Sequence, residues 1–406
     1  METDVAVTGL GLVTAAGVGC LPTWTTMCAG LSTAAQDASL HGLPIAISCA
    51  VPDFDASASL GPRLARRMDV ITQMAVVAAR EAVAMAGLDT ERPAPERIAV
   101  VLGCSSSNFE SIAPAYRKLF ADSAPTIPPL SLPRSLTSTA AAEVAIDLGA
   151  TGPNFTTASA CASGTVAIGV ARDLLRCGAA DVVITGGAES MRVPIAAACF
   201  SQMGVLSRRT HAPAAASRPF DADRDGFVLG EGAGILVLER NRDALARRAP
   251  VLAHLSGYGA ASDAYHPVAP HPDGIGITLA LRTALQDADW PAADVDHVNA
   301  HGTGTALNDA VEARCLAKMF PHRPPVTAPK GVLGHAAGAA GAIEAALTVL
   351  TLHHRSIPPT ANLDCLDEAV ELDVVAGVPR PSAPRTAVTL SAAFGGQNAA
   401  LAFRRP

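Results

Sequence analysis

Short apolar runs alternate with longer stretches of helical period along almost the whole chain. Val5 to Thr8 reads as a strand, with Gly9-Leu10-Gly11 behind it as a tight turn. Arg63 to Ala86 carries Met68, Ile71, Ala75, Val76, Ala79 and Val83 on one side and Gly87 behind them, which predicts one long capped helix. Ile98 to Leu102 is a continuous apolar run closed by Gly103, typical of a central strand. The proline-rich segment Ser123 to Ser135 excludes a regular element and reads as a connecting loop or one at a subunit edge. After the turn Thr151-Gly152-Pro153-Asn154, Phe155 to Thr157 forms a short strand. From Ala162, the residues Val166, Val170 and Leu174 recur every four positions, with Arg172 and Arg176 in the last turn and Gly178 as cap. Asp181 to Thr185 and Ile235 to Glu239 are further strands.

The alternation repeats beyond Pro250. It gives strands near Val251 to Leu255, Val295 to Asn299 and Pro325 to Thr327, and helices over Ile275 to Ala288, Asp309 to Met319 and Gly338 to Leu352. Late strands lie near Val388 and Leu401. Strands and helices that alternate in both halves predict an α/β fold with largely parallel sheets. The break near Arg240 to Pro250 divides the chain into halves 1–245 and 246–406.

Composition narrows the class. With 49% hydrophobic residues the 406-residue chain can bury a large core, and 4% aromatics means that Ala, Val, Leu and Ile must build it. A net charge of −7 argues against a general nucleic-acid or membrane-surface role. Leu148 to Ala171 has no charged side chain, but Pro153, Asn154 and the Ser/Thr run make it a buried strand-turn-helix and not a membrane span. The nine cysteines contain no Cys-x-x-Cys, so neither a zinc knuckle nor a disulfide framework is suggested. Reduced thiols, an acidic start at Met1-Glu2-Thr3-Asp4 and no secretory pattern point to the cytoplasm.

Candidate chemistry centres on Cys161, at or beside the start of the helix that follows Phe155 to Thr157. A thiol there meets unpaired amides and the positive end of the helix dipole, which favour thiolate. Small neighbours Ala160, Ala162, Ser163 and Gly164 leave room for an acyl group. The alternative is an inert buried cysteine, the commoner fate of the residue type. His301 follows a strand in Ala300-His301-Gly302-Thr303-Gly304-Thr305, and His335 precedes a helix in Lys330-Gly331-Val332-Leu333-Gly334-His335. Either is a proton-transfer or hydrogen-bonding group, or a satisfied structural histidine. No His-Glu-x-x-His supports a zinc protease, and Gly9-Leu10-Gly11 lacks the rest of a dinucleotide fingerprint. The aspartates of Asp221, Asp223 and Asp225 lack calcium-loop spacing, so Arg-Asp pairing is the better reading.

The cysteine segment, the His301 segment and Lys330 to Gly341 together resemble the three active-site motifs of β-ketoacyl-acyl-carrier-protein synthases of the elongating class, in the thiolase superfamily. The likeness runs essentially from Val5 to Phe403. It implies a five-layered αβαβα fold with two pseudo-duplicated halves. It also implies a homodimer, or a heterodimer with a chain-length-factor-like subunit. By the resemblance Cys161 accepts an acyl chain as a thioester from acyl carrier protein. His301 and His335 promote decarboxylation of malonyl thioester, and the amides of Cys161 and Phe394 form the oxyanion hole. Lys330 and Glu344 take catalytic, supporting or electrostatic roles around the second histidine, the alternative being an internal ion pair that holds the loop, and Asp309 and Glu312 make structural pairs near His301. No resident cofactor or metal is implied, since phosphopantetheine arrives on the carrier protein.

One departure bears on substrate. The loop that commonly reads Phe-Gly-Phe-Gly-Gly in the family is Ala392-Ala393-Phe394-Gly395-Gly396 here, and alanine at 393 restricts φ. Together with Cys104-Ser105-Ser106-Ser107 in the acyl-pocket region, this brings a polyketide or polyene substrate beside an ordinary fatty-acid one. Because carrier proteins are acidic, Arg63, Arg66, Arg67, Arg208 and Arg209 are the docking candidates, the alternative being a solvated surface. Two other functions remain open: a non-catalytic chain-length factor, which the presence of Cys161, His301 and His335 argues against, and a coenzyme A thiolase, for which a Cys/His/Cys pattern is expected.

Overall fold

The computed structural model describes residues 5–89, 94–106, 109–121 and 124–406. Met1 to Asp4, Ser107 and Ser123 of the segments read above therefore lie outside the described residues.

Two sheets of matching construction carry the molecule. In the first half, β1 (Val5–Thr14), β2 (Ile98–Gly103), β3 (Asn154–Thr157), β4 (Val182–Ser190) and β5 (Leu229–Arg240) lie in the order β3-β2-β4-β5-β1. In the second, β6 (Ala253–Ser262), β7 (Val298–Asn299), β8 (Pro325–Thr327), β9 (Asp373–Val374), β10 (Thr386–Ala393) and β11 (Gln397–Arg404) lie in the order β9-β8-β7-β10-β11-β6. From β3 to β1 the pairings run parallel, parallel, antiparallel, antiparallel. From β8 to β6 they run the same way. The halves are thus duplicated in topology, which residue identity did not reveal. A short antiparallel ladder, Val5 to Val7 against Leu255 to Ala253, joins them.

Helices complete five layers. Here α1 (Val70–Ala86) and α2 (Thr139–Leu148) cover the outer face of the first sheet. Between the sheets lies α3 (Ser163–Arg176); α4 (Ile275–Asp287) and α5 (Ala306–Met319) cover the outer face of the second sheet, and α6 (Ala340–His354) joins α3 in the middle. Because α6 is enclosed on all sides, Ala340 to Leu352 is buried throughout, and a helix with no polar face results. Among the described residues no helix is long and apolar enough to cross a membrane.

Five expectations change. The sheets are mixed, not largely parallel, because hairpin β10-β11 and the ladders of β4, β5 and β1 are antiparallel. Gly9-Leu10-Gly11 is no turn but the middle of β1. A side chain at Gly9 or Gly11 would stand 2.0 Å from the Ala82 carbonyl oxygen or 1.8 Å from that of Ala78, so glycine here admits α1 to the sheet. The helix expected over Arg63 to Ala86 is two, Pro62–Arg67 and α1, because Asp69 breaks the run and caps the second by accepting from the Thr72 amide at 3.1 Å. The proline-rich segment contains a short helix, Ser131–Ser135. The segment after Arg240 likewise holds a helix, Asn241–Ala246.

Candidate active site

Cys161 stands in the turn between β3 and α3. Ala160 before it has a φ of 46°, a left-handed conformation that costs a non-glycine residue about 1–3 kcal/mol. Ser163 holds the turn closed: its Oγ accepts from the Ser159 amide at 2.8 Å and donates to the Ala160 carbonyl at 2.6 Å. The turn directs the thiol into a cavity of about 390 Å³, mostly apolar in lining, to which His301, His335, Phe227 and Phe394 also contribute.

The second half delivers both histidines. His301 follows β7, and its loop is gripped by carboxylates of α5. Glu312 accepts from the amides of His301 and Gly302 at 2.6 and 2.8 Å, and Asp309 accepts from the amide of Phe220 at 2.8 Å. Both acids thus hold backbone amides of these loops, and of the expected structural pairs Asp309 stands 3.9 Å from Arg224. His335 is fixed by its backbone, donating to the Val228 carbonyl at 2.8 Å and accepting from the Gly230 amide at 3.0 Å. Its Nε2 lies 3.2 Å from Cys161 Sγ, while its Nδ1 has no hydrogen-bond partner among the described residues. The two imidazoles meet edge to face with centroids 5.4 Å apart, and Phe227 packs edge-on against His335 at 5.3 Å.

Lys330 reaches both histidines: its charge acts on His335, and its ammonium bonds His301 directly. Its Nζ bonds the Glu344 carboxylate, the His301 carbonyl at 2.6 Å and His301 Nδ1 at 3.2 Å. Three acceptors match the three N–H bonds of an ammonium, and a donor at Nδ1 leaves the His301 proton on Nε2, facing the cavity. A buried ammonium and carboxylate hold each other in place here, since either alone would be expensive to bury.

Electrostatics follow from burial. Desolvation first, then the Lys330 charge, pushes both histidines well below the usual imidazole range, so they are neutral hydrogen-bonding groups. Burial also pushes the carboxyls of Glu312 and Glu344 up to about 7. The Cys161 thiol is pushed up to about 11, again by burial first, with Lys330 and the Phe394 amide opposing it. The expectation of a thiol lowered by the helix end is therefore reversed: α3 begins beyond Cys161, and loss of water outweighs its dipole.

The loop of Phe394 closes the site. Its amide opposes the rise of the Cys161 thiol, and its ring lies 6.3 Å from that of Phe200. Ala393 has φ −131°, which any residue adopts; the turn proper falls on Gly395 and Gly396 at φ 77° and 68°. The alanine is thus unstrained in this conformation.

The arginine candidates lie apart from the cavity lining. Arg63, Arg66 and Arg208 are exposed, Arg67 pairs with Glu143, and Arg209 donates to the Asp223 carbonyl at 2.7 Å. In the neighbouring loop Asp221 pairs with Arg218 at 2.9 Å, as expected, and Asp225 accepts from Ser207 at 2.6 Å. Reading the sequence missed Glu189 and Asn398. Asn398 lines the cavity and donates to Asp263 at 3.0 Å. Glu189 accepts from the wall residues Ser105 and Ser106. Nothing local marks either residue, since each is one polar position near the end of an apolar strand.

A half-buried thiol and two neutral imidazoles on one apolar cavity between duplicated halves define a thiolase-fold enzyme of acyl transfer to cysteine. The chain belongs to the β-ketoacyl synthase family: the family's N-terminal domain model matches residues 2–244 and its C-terminal domain model residues 252–364. It is 36% identical to 3-oxoacyl-[acyl-carrier-protein] synthase 2 of Staphylococcus aureus (strain COL) over 99% of this chain and 98% of that one. Among solved structures it is similar to the ishigamide ketosynthase/chain length factor, with a TM-score of 0.93 at 33% identity and full coverage of both chains. It is also similar to AntDE:AntF, a type II PKS acyl-carrier protein in complex with its ketosynthase, with a TM-score of 0.90 at 28% identity and full coverage of both chains.

Proposed function

We propose that this ketosynthase carries out the decarboxylative condensation of an acyl chain on Cys161 with malonyl-acyl-carrier protein. The contact between His335 Nε2 and Cys161 Sγ, 3.2 Å, carries the reading. In the first step the neutral His335 takes the thiol proton, sulfur attacks the acyl thioester of the carrier's phosphopantetheine, and the departing thiolate receives that proton. In the second, the malonyl carboxylate leaves as CO2. The electron pair released passes to the thioester oxygen, which accepts a hydrogen bond from Nε2 of His301 and, once the His335 proton has moved from Nδ1 to Nε2, a second one from His335. Lys330 holds His301 in the required tautomer. The enolate carbon then attacks the acyl carbonyl on Cys161. The amides of Cys161 and Phe394 stabilise the oxyanion until C–S cleavage frees the thiolate, with one such donor worth about 3–4 kcal/mol.

The Cys/His/His set supports a synthase over a thiolase, and the thiol supports a catalytic subunit over a chain-length factor. The reading includes a type II polyketide, polyene or fatty-acid system, a cytoplasmic address, no resident cofactor, and division near residue 245. It also includes a homodimer or a heterodimer with a chain-length-factor-like subunit. Docking of an acidic carrier protein on Arg63, Arg66, Arg67, Arg208 and Arg209 belongs to it too. Intact-mass analysis of wild type and Cys161→Ala after incubation with a panel of acyl-carrier proteins tests it, with and without a candidate partner subunit. An acyl adduct on wild type alone is expected; no adduct from any carrier would remove the reading. Charge reversal at Arg66 and Arg67 should slow loading from carrier protein by about tenfold or more if they dock it, and unchanged transfer would take them off the docking surface.

A further inference from the structure

Glu189 is fully buried near the end of β4 and has no place in the chemistry above. Among the described residues no arginine or lysine forms an ion pair with it, unlike the buried Glu231, Glu239 and Glu344, which pair with Arg192, Arg247 and Lys330. Its carboxylate is satisfied instead by one stretch of chain. Oε2 accepts from the Ser105 amide at 2.7 Å, Ser105 Oγ at 2.6 Å and the Ser106 amide at 3.2 Å; Oε1 accepts from Ser106 Oγ at 3.2 Å. The Cys104 thiol stands 3.8 Å from both oxygens. Ser105 and Ser106 in turn line the cavity that contains Cys161. From the opposite side the turn before α6 closes in, where a side chain at Gly338 would stand 2.5 Å from the Ser105 amide nitrogen and 3.0 Å from Glu189 Oε2.

A buried carboxylate without a cation is a poor choice for stability alone, because apolar packing or an ion pair would serve better. What this one achieves is to collect both amides and both hydroxyls of the Ser105-Ser106 segment, which has no helix or strand of its own to satisfy them. We propose that Glu189 is a positioning residue for acyl specificity: by fixing Ser105 and Ser106 it sets the wall against which the acyl chain of the Cys161 thioester lies. This rests on the ketosynthase reading. The hydroxyl protons turn toward the carboxylate, so the wall offers the chain oxygen lone pairs and no donor. Loss of Glu189 frees two amides and two hydroxyl protons, and the segment must rearrange against the cavity to satisfy them.

The test is the rate of Cys161 acylation by carrier proteins bearing chains of graded length and oxygenation, measured for wild type, Glu189→Ala, Glu189→Gln and Ser106→Ala, with thermal melting in parallel. A merely structural Glu189 would slow every chain by one common factor that tracks melting temperature. The positioning role predicts that Glu189→Ala changes the ratio of rates between the best and worst wild-type chains by about tenfold or more. Glu189→Gln should restore the wild-type order, since an amide oxygen can occupy the Oε2 position. Should Glu189→Ala fail to fold, Ser106→Ala decides alone: a changed order supports the proposal, and wild-type ratios overturn it. Wild-type ratios in all variants likewise overturn it. Failure of the wild type itself to load would instead remove the ketosynthase reading, and the proposal with it.

Discussion

The protonation of Cys161 before substrate arrives is the sharpest point on which local and tertiary physics disagree. Burial places the thiol at about 11. A helix end contributes at most about 2 kcal/mol, or roughly 1.5 pH units at 1.36 kcal/mol per unit. Even that full correction leaves the thiol above pH 9, so at pH 7.5 thiolate amounts to roughly 1% or less. Alkylation of Cys161 by iodoacetamide, followed by peptide mapping so that the exposed Cys177, Cys199 and Cys365 are counted separately, should accelerate about tenfold per pH unit between pH 7 and 9. Glu189→Gln removes a negative charge that raises the thiol, so its rate curve should move to lower pH. His335→Ala removes the nearest proton acceptor and should slow acylation by about 10²–10⁴. A plateau in wild-type alkylation at or below pH 8 would refute the reasoning. It would mean that the site stores a thiolate and that His335 is not needed to deprotonate it.

Other perturbations read out separate parts of the structure. Lys330→Met strands Glu344 in the core and should cost about 3–5 kcal/mol in urea unfolding, with decarboxylation lost as well. Glu312 is raised by burial to about 7, so its contribution to stability is full below its unfolded value near 4.5 and is lost as pH rises through 7. Glu312→Gln should therefore flatten the fall of melting temperature between pH 5 and 8, and an unchanged slope would count against a buried ionising Glu312. Gly11→Val drives a side chain into the Ala78 carbonyl of α1, an overpacking expected to destabilise by 3 kcal/mol or more, about the upper end for a core; wild-type melting would show that α1 can move away.

Much of the architecture was legible because it depends on patterns a few residues long. Apolar runs and helical spacing marked the strands around Ile98 and Val182 and the helices over Ile275 and Ser163, and the three motifs marked Cys161, His301 and His335. Turn signals misled at Gly9-Leu10-Gly11, since close approach of a helix and a change of chain direction call for the same residue. The cap at Asp69 went unread inside a strongly periodic run.

The chain's order of residues by itself determined which groups could do chemistry and roughly where the elements start and stop, because those depend on side-chain type and local spacing. Only the tertiary structure decided which groups meet: Lys330 with His301, His335 with Cys161, Glu189 with Ser105 and Ser106. It also decided how those groups titrate, because desolvation depends on what packs around a residue from far along the chain. For Cys161 that nonlocal effect exceeds and reverses the local pull of its helix.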